Sequence, residues 1–171
     1  VYLTPDDVRP YLEELQRLQP DPIEIGFTGG EPFLNPDVIA LIEMALARGH
    51  RVLVLTNAMR PMMRPRVQEG LRGLLQRYGG APTLRVSLDH WSPAHHDAER
   101  GAGAFDEATL GIEWLVKAGF AVSLAGRTRW GESEADARSG YGALIATRRW
   151  SVDANDPGSL VLFPEMDAHP D

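Results

Sequence analysis

The chain contains no cysteine. That absence excludes disulfides and removes every thiolate ligand for zinc or an iron–sulfur cluster. No apolar run approaches the ~18 residues of a membrane-spanning helix, and no secretory leader pattern is present. Excess positive charge is missing as well. The net charge is −7, which argues against a nucleic-acid backbone as the main partner. Internal repeats and low-complexity tracts are also lacking. What remains is 171 residues, 43% hydrophobic and 24% charged, an ordinary globular composition with enough chain for a real core. A cytoplasmic location is the default expectation. Val1 and Asp171 both abut structured-looking sequence, which points to a segment of a longer protein.

The most informative stretch is Thr28-Gly29-Gly30-Glu31-Pro32. It closes an alternating apolar run over 23–28 that reads as a β-strand. A glycine pair and an acid at the carboxyl end of a strand sit where α/β sheets keep their chemistry. The glycines permit close backbone approach to a ligand, and a carboxylate suits a cation or ammonium.

Ahead of it, Thr4-Pro5-Asp6-Asp7 starts a helix with a cap, a proline at the first position and acids in the first turn. Val8, Leu12 and Leu15 form its apolar stripe, with Tyr11 and Leu18 as further candidates; Pro10 sits deep in it. Asn35-Pro36 opens a second helix that Gly49 stops. Arg51 to Thr56 is a mostly apolar strand, as expected for a sheet buried on both faces. After a proline-bearing loop, Val67, Leu71, Leu74, Leu75 and Tyr78 mark a third helix, weakened by Gly70 and Gly73. The arginines at 60, 64, 66, 72 and 77 read as a solvated face rather than a patch for an acidic partner. Thr83 to Leu88 is the next strand, followed by a polar loop carrying His90 to Arg100. A fourth helix begins near Asp106, with Leu110, Trp114 and Leu115 inward and Gly119 as the stop. Ala121 to Ala125 is a strand. Glu132 or Ser133 begins a helix through Tyr141, Leu144 and Ile145, and Leu160 to Phe163 is a final strand ended by Pro164.

This order, a helix, four βα units and a strand, means a parallel α/β sheet with right-handed crossovers. Five strands are too few for a closed barrel of eight; they suit an open partial barrel or a doubly wound sheet. Either way the strand ends share one rim, which would collect Gly29, Gly30, Glu31, Thr56, Asn57, Ser87, Asp89, and Arg127 or Thr128. Taken singly, these residues have plain explanations: a turn for the glycines, a loop cap for Asn57, a backbone contact for Ser87. His95-His96-Asp97 invites a metal, but adjacent side chains diverge and no further ligands are fixed by spacing, so no metal ligands are assigned.

The combination is more specific. Thr28-Gly29-Gly30-Glu31-Pro32, Leu55-Thr56-Asn57, Val86-Ser87-Leu88-Asp89 and the stretch His96 to Phe105 (H-D-A-E-R-G-A-G-A-F) resemble, in order and spacing over about Val1 to Thr128, the radical S-adenosylmethionine (radical SAM) superfamily. The last two stretches look most like its peptide- and protein-modifying branches. The resemblance implies a partial, open, parallel TIM-like barrel of six βα units, of which this chain, 1–171, would hold the second to sixth. It implies that Gly29 and Gly30 meet the amino group of S-adenosylmethionine, with Glu31 in contact or one layer behind and Pro32 stiffening the turn. Ser87 would lie near the ribose or carboxylate, and Arg100 would pair the methionine carboxylate. Asn57 falls on the family's T-N-G stretch, where Ala58 replaces the glycine.

The family holds a 4Fe-4S cluster on three cysteines spaced C-x3-C-x2-C, in a loop that precedes the helix opening this chain. With none here, the cluster ligands are expected outside it, in a longer parent. That parent would be an enzyme that reductively cleaves S-adenosylmethionine to a 5′-deoxyadenosyl radical, which abstracts a substrate hydrogen. This chain alone would be inactive. The implied partners are a small-molecule or peptide substrate and an electron donor of flavodoxin or ferredoxin type, without membrane or nucleic acid. His90, Trp91, Arg127 and Arg129 are candidates for lining the mouth; no catalytic residue is assigned. The alternatives are a cluster-free binding or scaffold relative, and an unrelated α/β enzyme using Gly29-Gly30 as a phosphate nest.

Overall fold

The computed structural model describes residues 2–164; Val1 and 165–171, the ends of the expected span, lie outside the described residues. Helix α1 (Pro5–Leu18) starts as its sequence dictates. Thr4 and Asp7 form a reciprocal capping box, and Pro10 is accommodated inside the helix. Only Leu12 is fully buried there. Tyr11 and Leu18 stand 73% and 72% exposed, so they do not belong to the core stripe.

Strand β1 (Glu24–Phe27) follows, then a single 3-10 turn (Pro32–Leu34). Asn35 does not cap α2 (Val38–Leu46) directly. Its side chain accepts from the Asp37 amide at 2.9 Å, making a turn that delivers Asp37 to the N-cap position. Strand β2 is Arg51–Thr56 and α3 is Pro65–Tyr78. Gly70 is in α3 for a packing reason: a methyl there would lie 2.8 Å from Ile39 of α2.

After β3 (Thr83–Ser87) the structure departs from the sequence reading. Residues expected as a polar loop form a helix, α4 (Pro93–Arg100), with His96 buried. Ser92-Pro93 is the start signal, obscured by the low apolar content of the two turns that follow. Helix α5 (Ala104–Ala118) buries Phe105, Ala108, Ile112 and Leu115, whereas Leu110, expected inward, is exposed. Strand β4 (Val122–Thr128) is longer than anticipated. Ser133 and Asp136 box the start of α6 (Glu134–Arg148), and β5 is Leu160–Pro164.

The sheet has five parallel strands in the order β1-β2-β3-β4-β5. A doubly wound sheet reverses direction at a switch point; this one never does, so that option is excluded. Each right-handed crossover adds the next strand on the same side, which puts the helices on one face and leaves the other face concave. Burial agrees. Val52, Val54, Leu84, Val86, Leu124 and Leu160 join the helix-side core with Ile42, Leu71, Leu74, Ile112 and Leu115. Each such side chain contributes about 1.5–3 kcal/mol of burial. Their strand neighbours, including Leu55, Arg85, Ser87 and Ala125, face the other way by the two-residue alternation. The architecture is a half-barrel.

Candidate functional site

The carboxyl ends of the strands form one rim, and its first segment is built on backbone shape. Gly29 and Gly30 have φ of +97° and +42°, and a methyl on either would meet nothing within 4 Å. The left-handed conformation makes glycine the low-cost residue at both positions. Open space in front of them leaves their peptide groups approachable.

Glu31 is 7% exposed and its carboxylate is already engaged. Oε1 accepts from the Phe33 amide at 3.1 Å, and Oε2 from the Asn57 amide at 2.8 Å. The Thr56 hydroxyl lies 2.9 and 3.0 Å from the two oxygens. Glu31 therefore ties the β1 loop to the β2 loop, and Pro32 is buried behind it. Thr56 Oγ1 also accepts from the Ala58 amide at 3.0 Å, and Asn57 Oδ1 from the Met59 amide at 2.9 Å. Ala58 takes φ +55° and is fully buried. The backbone thus has the left-handed shape that a glycine would supply there, although the residue differs.

The β3 end is organised around Asp89, which is buried. Arg100 grips it with a fork, Nε to Oδ2 at 2.5 Å and Nη2 to Oδ1 at 2.9 Å. The Asp89 amide donates to His96 Nδ1 at 3.1 Å, and its carbonyl accepts from the Arg127 amide at 3.0 Å. Arg127 Nε approaches the same carboxylate at 3.5 Å. Asp97 Oδ1 accepts from the Phe105 amide and Oδ2 from that of Gly103, each at 2.8 Å. Phe105 packs edge-on against His96 at 5.9 Å. The H-D-x-x-R-G-x-G-x-F stretch is therefore one scaffold that holds the loop after β3. The Tyr141 hydroxyl closes it by donating to the Leu88 carbonyl at 2.5 Å; Gly126 leaves room for that ring, since a methyl there would overlap it.

Electrostatics follow from these contacts. Burial pushes the Asp89 carboxyl up, but the Arg100 hydrogen bond and charge, helped by Arg127, prevail and hold it below its ordinary 3.8. Arg100 is pushed up, mainly by its hydrogen bond to Asp89, and Glu31 is among the charges that favour its cation. Burial lowers His96 below 6.5, against the pull of Asp89.

Next to this lies an aromatic group. His90 Nδ1 accepts from the Ser92 amide at 2.9 Å, so Nε2 carries the proton, 2.9 Å from Glu132 Oε1. Trp91, His95 and Trp130 surround the His90 ring at 4.9, 4.5 and 4.7 Å. His95 stacks on Trp130 while His96 turns inward to Asp89, so the adjacent imidazoles diverge. Among the described residues, no group of three or more histidines and acids is arranged to hold a metal ion.

Of the residues singled out from the sequence, Gly29, Gly30, Glu31, Pro32 and Asn57 come together as one unit. Ser87 stands half-buried at the β3 end, on the concave face. Arg100 belongs to the Asp89 unit, and Arg129 pairs with Glu99 at 2.6 Å. Sequence reasoning missed the roles of Thr56, as a donor to Glu31, and of Asp89, as the partner of Arg100. Both lay inside the quoted motifs; the missing signal was which side chain each one meets. A cavity of about 700 Å³ between α2 and α3 contains none of these residues.

Comparison with known proteins adds the following. The sequence model of the radical SAM superfamily matches residues 1–128. The chain is 35% identical over 119 residues to the AdoMet-dependent heme synthase of Methanosarcina barkeri, covering 69% of this chain and 32% of that protein. It is 36% identical over 110 residues to the mycofactocin maturase MftC of Mycobacterium ulcerans, covering 64% of this chain and 27% of the relative. The chain thus spans about a third or less of these relatives. Its backbone resembles Streptococcus suis SuiB bound to S-adenosylmethionine, with a TM-score of 0.69 at 13% identity, over 97% of this chain and 35% of that one. SuiB bound to its precursor peptide SuiA gives the same TM-score at 11% identity, over 98% and 34%. At such identities the likeness is one of fold.

Proposed function

The chain belongs to the radical SAM superfamily, and we propose that its rim is the S-adenosylmethionine-binding wall of an enzyme whose other parts lie outside this chain. The observation that carries this is the open space before Gly29 and Gly30, on a loop locked by Glu31 to Thr56 and Asn57. The family implies S-adenosylmethionine and a 4Fe-4S cluster, and the residues present answer differently to the two. The glycine loop fits the amino-acid end of the first. Nothing here fits the cluster, since the chain has no cysteine; its ligands belong elsewhere in the parent.

In this reading Gly29 and Gly30 bring backbone groups to the ligand's ammonium. Glu31 works one layer behind, because its oxygens are occupied by Phe33, Thr56 and Asn57. Ser87 presents a hydroxyl from the concave face toward the ribose or carboxylate, and Arg100, oriented by Asp89, adds positive charge beside them. Bound there, S-adenosylmethionine supplies, after one-electron reduction, a 5′-deoxyadenosyl radical for taking a substrate hydrogen. This chain's share is to bind, orient and exclude water.

The substrate is a small molecule or a peptide, and the electron comes from a flavodoxin- or ferredoxin-type donor. The maturase relative and the peptide complex of SuiB favour the peptide. The family match leaves the unrelated phosphate enzyme without support. Among the described residues no helix is long and apolar enough to cross a membrane. The test is anaerobic reconstitution of the parent with iron and sulfide, followed by reduction with S-adenosylmethionine present. 5′-Deoxyadenosine is the expected product, and an intact, cluster-loaded parent that makes none refutes the proposal.

A further inference from the structure

The concave face carries a charge pattern opposite to that of the chain as a whole, whose net charge is −7. Arg85 of β3 faces it, with Nε donating to Ser123 Oγ at 3.2 Å; its terminal nitrogens donate to no described residue. Arg127, at the end of β4, is 52% exposed in its side chain and reaches Asp89 only at 3.5 Å. Arg100 already fills that carboxylate from the other side. Glu24 and Arg51 stand opposite each other in register at the far end of the sheet and offset one another. The wall between Arg85 and Arg127 therefore carries two guanidinium groups with donors to spare: the terminal nitrogens of Arg85 donate to no described residue, and Arg127 holds Asp89 only through a 3.5 Å contact from its Nε.

Register gives the spacing. Arg85 pairs with Ser123, four residues before Arg127 on the same strand, which is about 13 Å along the sheet. Between them the surface is Ser87 and Ala125, with Val161 and the exposed Phe163 on β5 beside it. Spread forks next to apolar surface suit singly charged groups. A phosphate dianion instead gathers several converging donors around itself.

We infer that this wall receives the carboxylate of the substrate, with Arg127 as the fork that grips it and Arg85 as a second cation below. This rests on the reading of the same rim as the cofactor site and names the substrate class: a carboxylate-bearing molecule with an apolar portion. Arg100 keeps its fork on Asp89 at the cofactor end of the rim, so Arg127 can exchange its longer 3.5 Å contact with Asp89 for the ligand.

The test is calorimetric titration of the 171-residue chain with an acetylated phenylalanine-terminated pentapeptide as free acid, the same peptide as C-terminal amide, and glutarate. The expected result is at least tenfold tighter binding of the acid than of the amide. That selectivity should fall below twofold in Arg127→Gln, weaken in Arg85→Gln and return in part in Arg127→Lys, all with unchanged circular dichroism. Tighter binding of the peptide acid than of glutarate supports a peptide end as the source of the carboxylate; the reverse supports a small acid. Equal affinity for peptide acid and amide in the unsubstituted chain overturns the inference. So does displacement of the acid by S-adenosylmethionine, which would hand Arg127 to the cofactor's own carboxylate. Acid-selective, Arg127-dependent binding in a chain that takes up no S-adenosylmethionine would keep the anion site and sink the cofactor reading alone.

Discussion

Glu31 and Thr56 are joined across two strand ends, with the threonine hydroxyl 2.9 and 3.0 Å from the two carboxylate oxygens. The same carboxylate collects the amides of Phe33 and Asn57. Of the two places expected for Glu31, in contact with the ligand or one layer behind, these bonds favour the second: the residue is first of all an internal brace.

Removing that brace should therefore cost stability as well as binding. Glu31→Ala leaves a hydroxyl and two amides without their acceptor, and about 2–4 kcal/mol of destabilisation is expected. Glu31→Gln keeps one acceptor oxygen but turns an amide donor toward its neighbours, so a smaller loss of about 1–2 kcal/mol is expected. Urea unfolding of the two variants checks the order. A Glu31→Ala midpoint equal to that of the parent chain would contradict the bracing role.

Acid should weaken the fold in two stages. His96 is held below 6.5 in the folded state, chiefly by burial. As pH falls through 6.5 the unfolded chain takes up the proton first, so stability declines from there down to the folded value. Asp89 is held below its ordinary 3.8, so its contribution is complete above that value and is lost as pH falls through the lower, folded one. Unfolding midpoints measured from pH 7.5 to 3 should show both declines, and His96→Gln should flatten the upper one. An unchanged upper slope in that variant would remove His96 from the account.

A third expectation concerns close packing. A methyl at Gly111 of α5 would overlap the carbonyl oxygen of Ala58, a backbone atom that cannot swing away. Gly111→Ala should destabilise by about 2–4 kcal/mol through overpacking. Gly142→Ala, whose added methyl lies 3.7 Å from Ala154, serves as the control and should be near neutral. Thermal melts of the pair decide this.

Gly30 separates binding from folding. Gly30→Ala meets no neighbour within 4 Å, so its folding cost is limited to about 1–2 kcal/mol of left-handed backbone strain. Its methyl would occupy open space that the proposed function gives to S-adenosylmethionine. A loss of S-adenosylmethionine affinity of about tenfold or more, near 1.4 kcal/mol, is expected by calorimetry. Full affinity in this variant would move the cofactor away from the glycine loop.

Much of the fold was legible because it rests on local signals. Thr4 and Ser133 cap helices, Gly49 and Gly119 stop them, and the apolar run at 51–56 and the alternating one at 83–88 both read as strands. Helix α4 was hidden because its eight residues bury only His96, leaving little apolar period to detect. Periodicity alone points Leu110 inward, but the buried stripe of α5 runs through Phe105, Ala108 and Ile112 instead. The choice between open barrel and doubly wound sheet depends on which strands become neighbours, a tertiary fact with no local signature. At the site, motif residues were found but not their partners. Asp89 and Arg100 are eleven positions apart, and only the folded α4 turns one toward the other.

The strand order has a consequence for how the molecule comes into being. Every strand pairs with the one made just before it, so no segment waits for a distant partner while the chain is being synthesised. A nascent chain that has released β3 already holds every neighbour this sequence provides for β1 and β2. Each parallel pairing must still close a helical crossover, so the order of pairing spares the chain distant partners without making the sheet a fast folder. The half-barrel can therefore assemble in the order of translation, with the brace at Glu31 set as soon as β2 is complete and before Arg127 has been made.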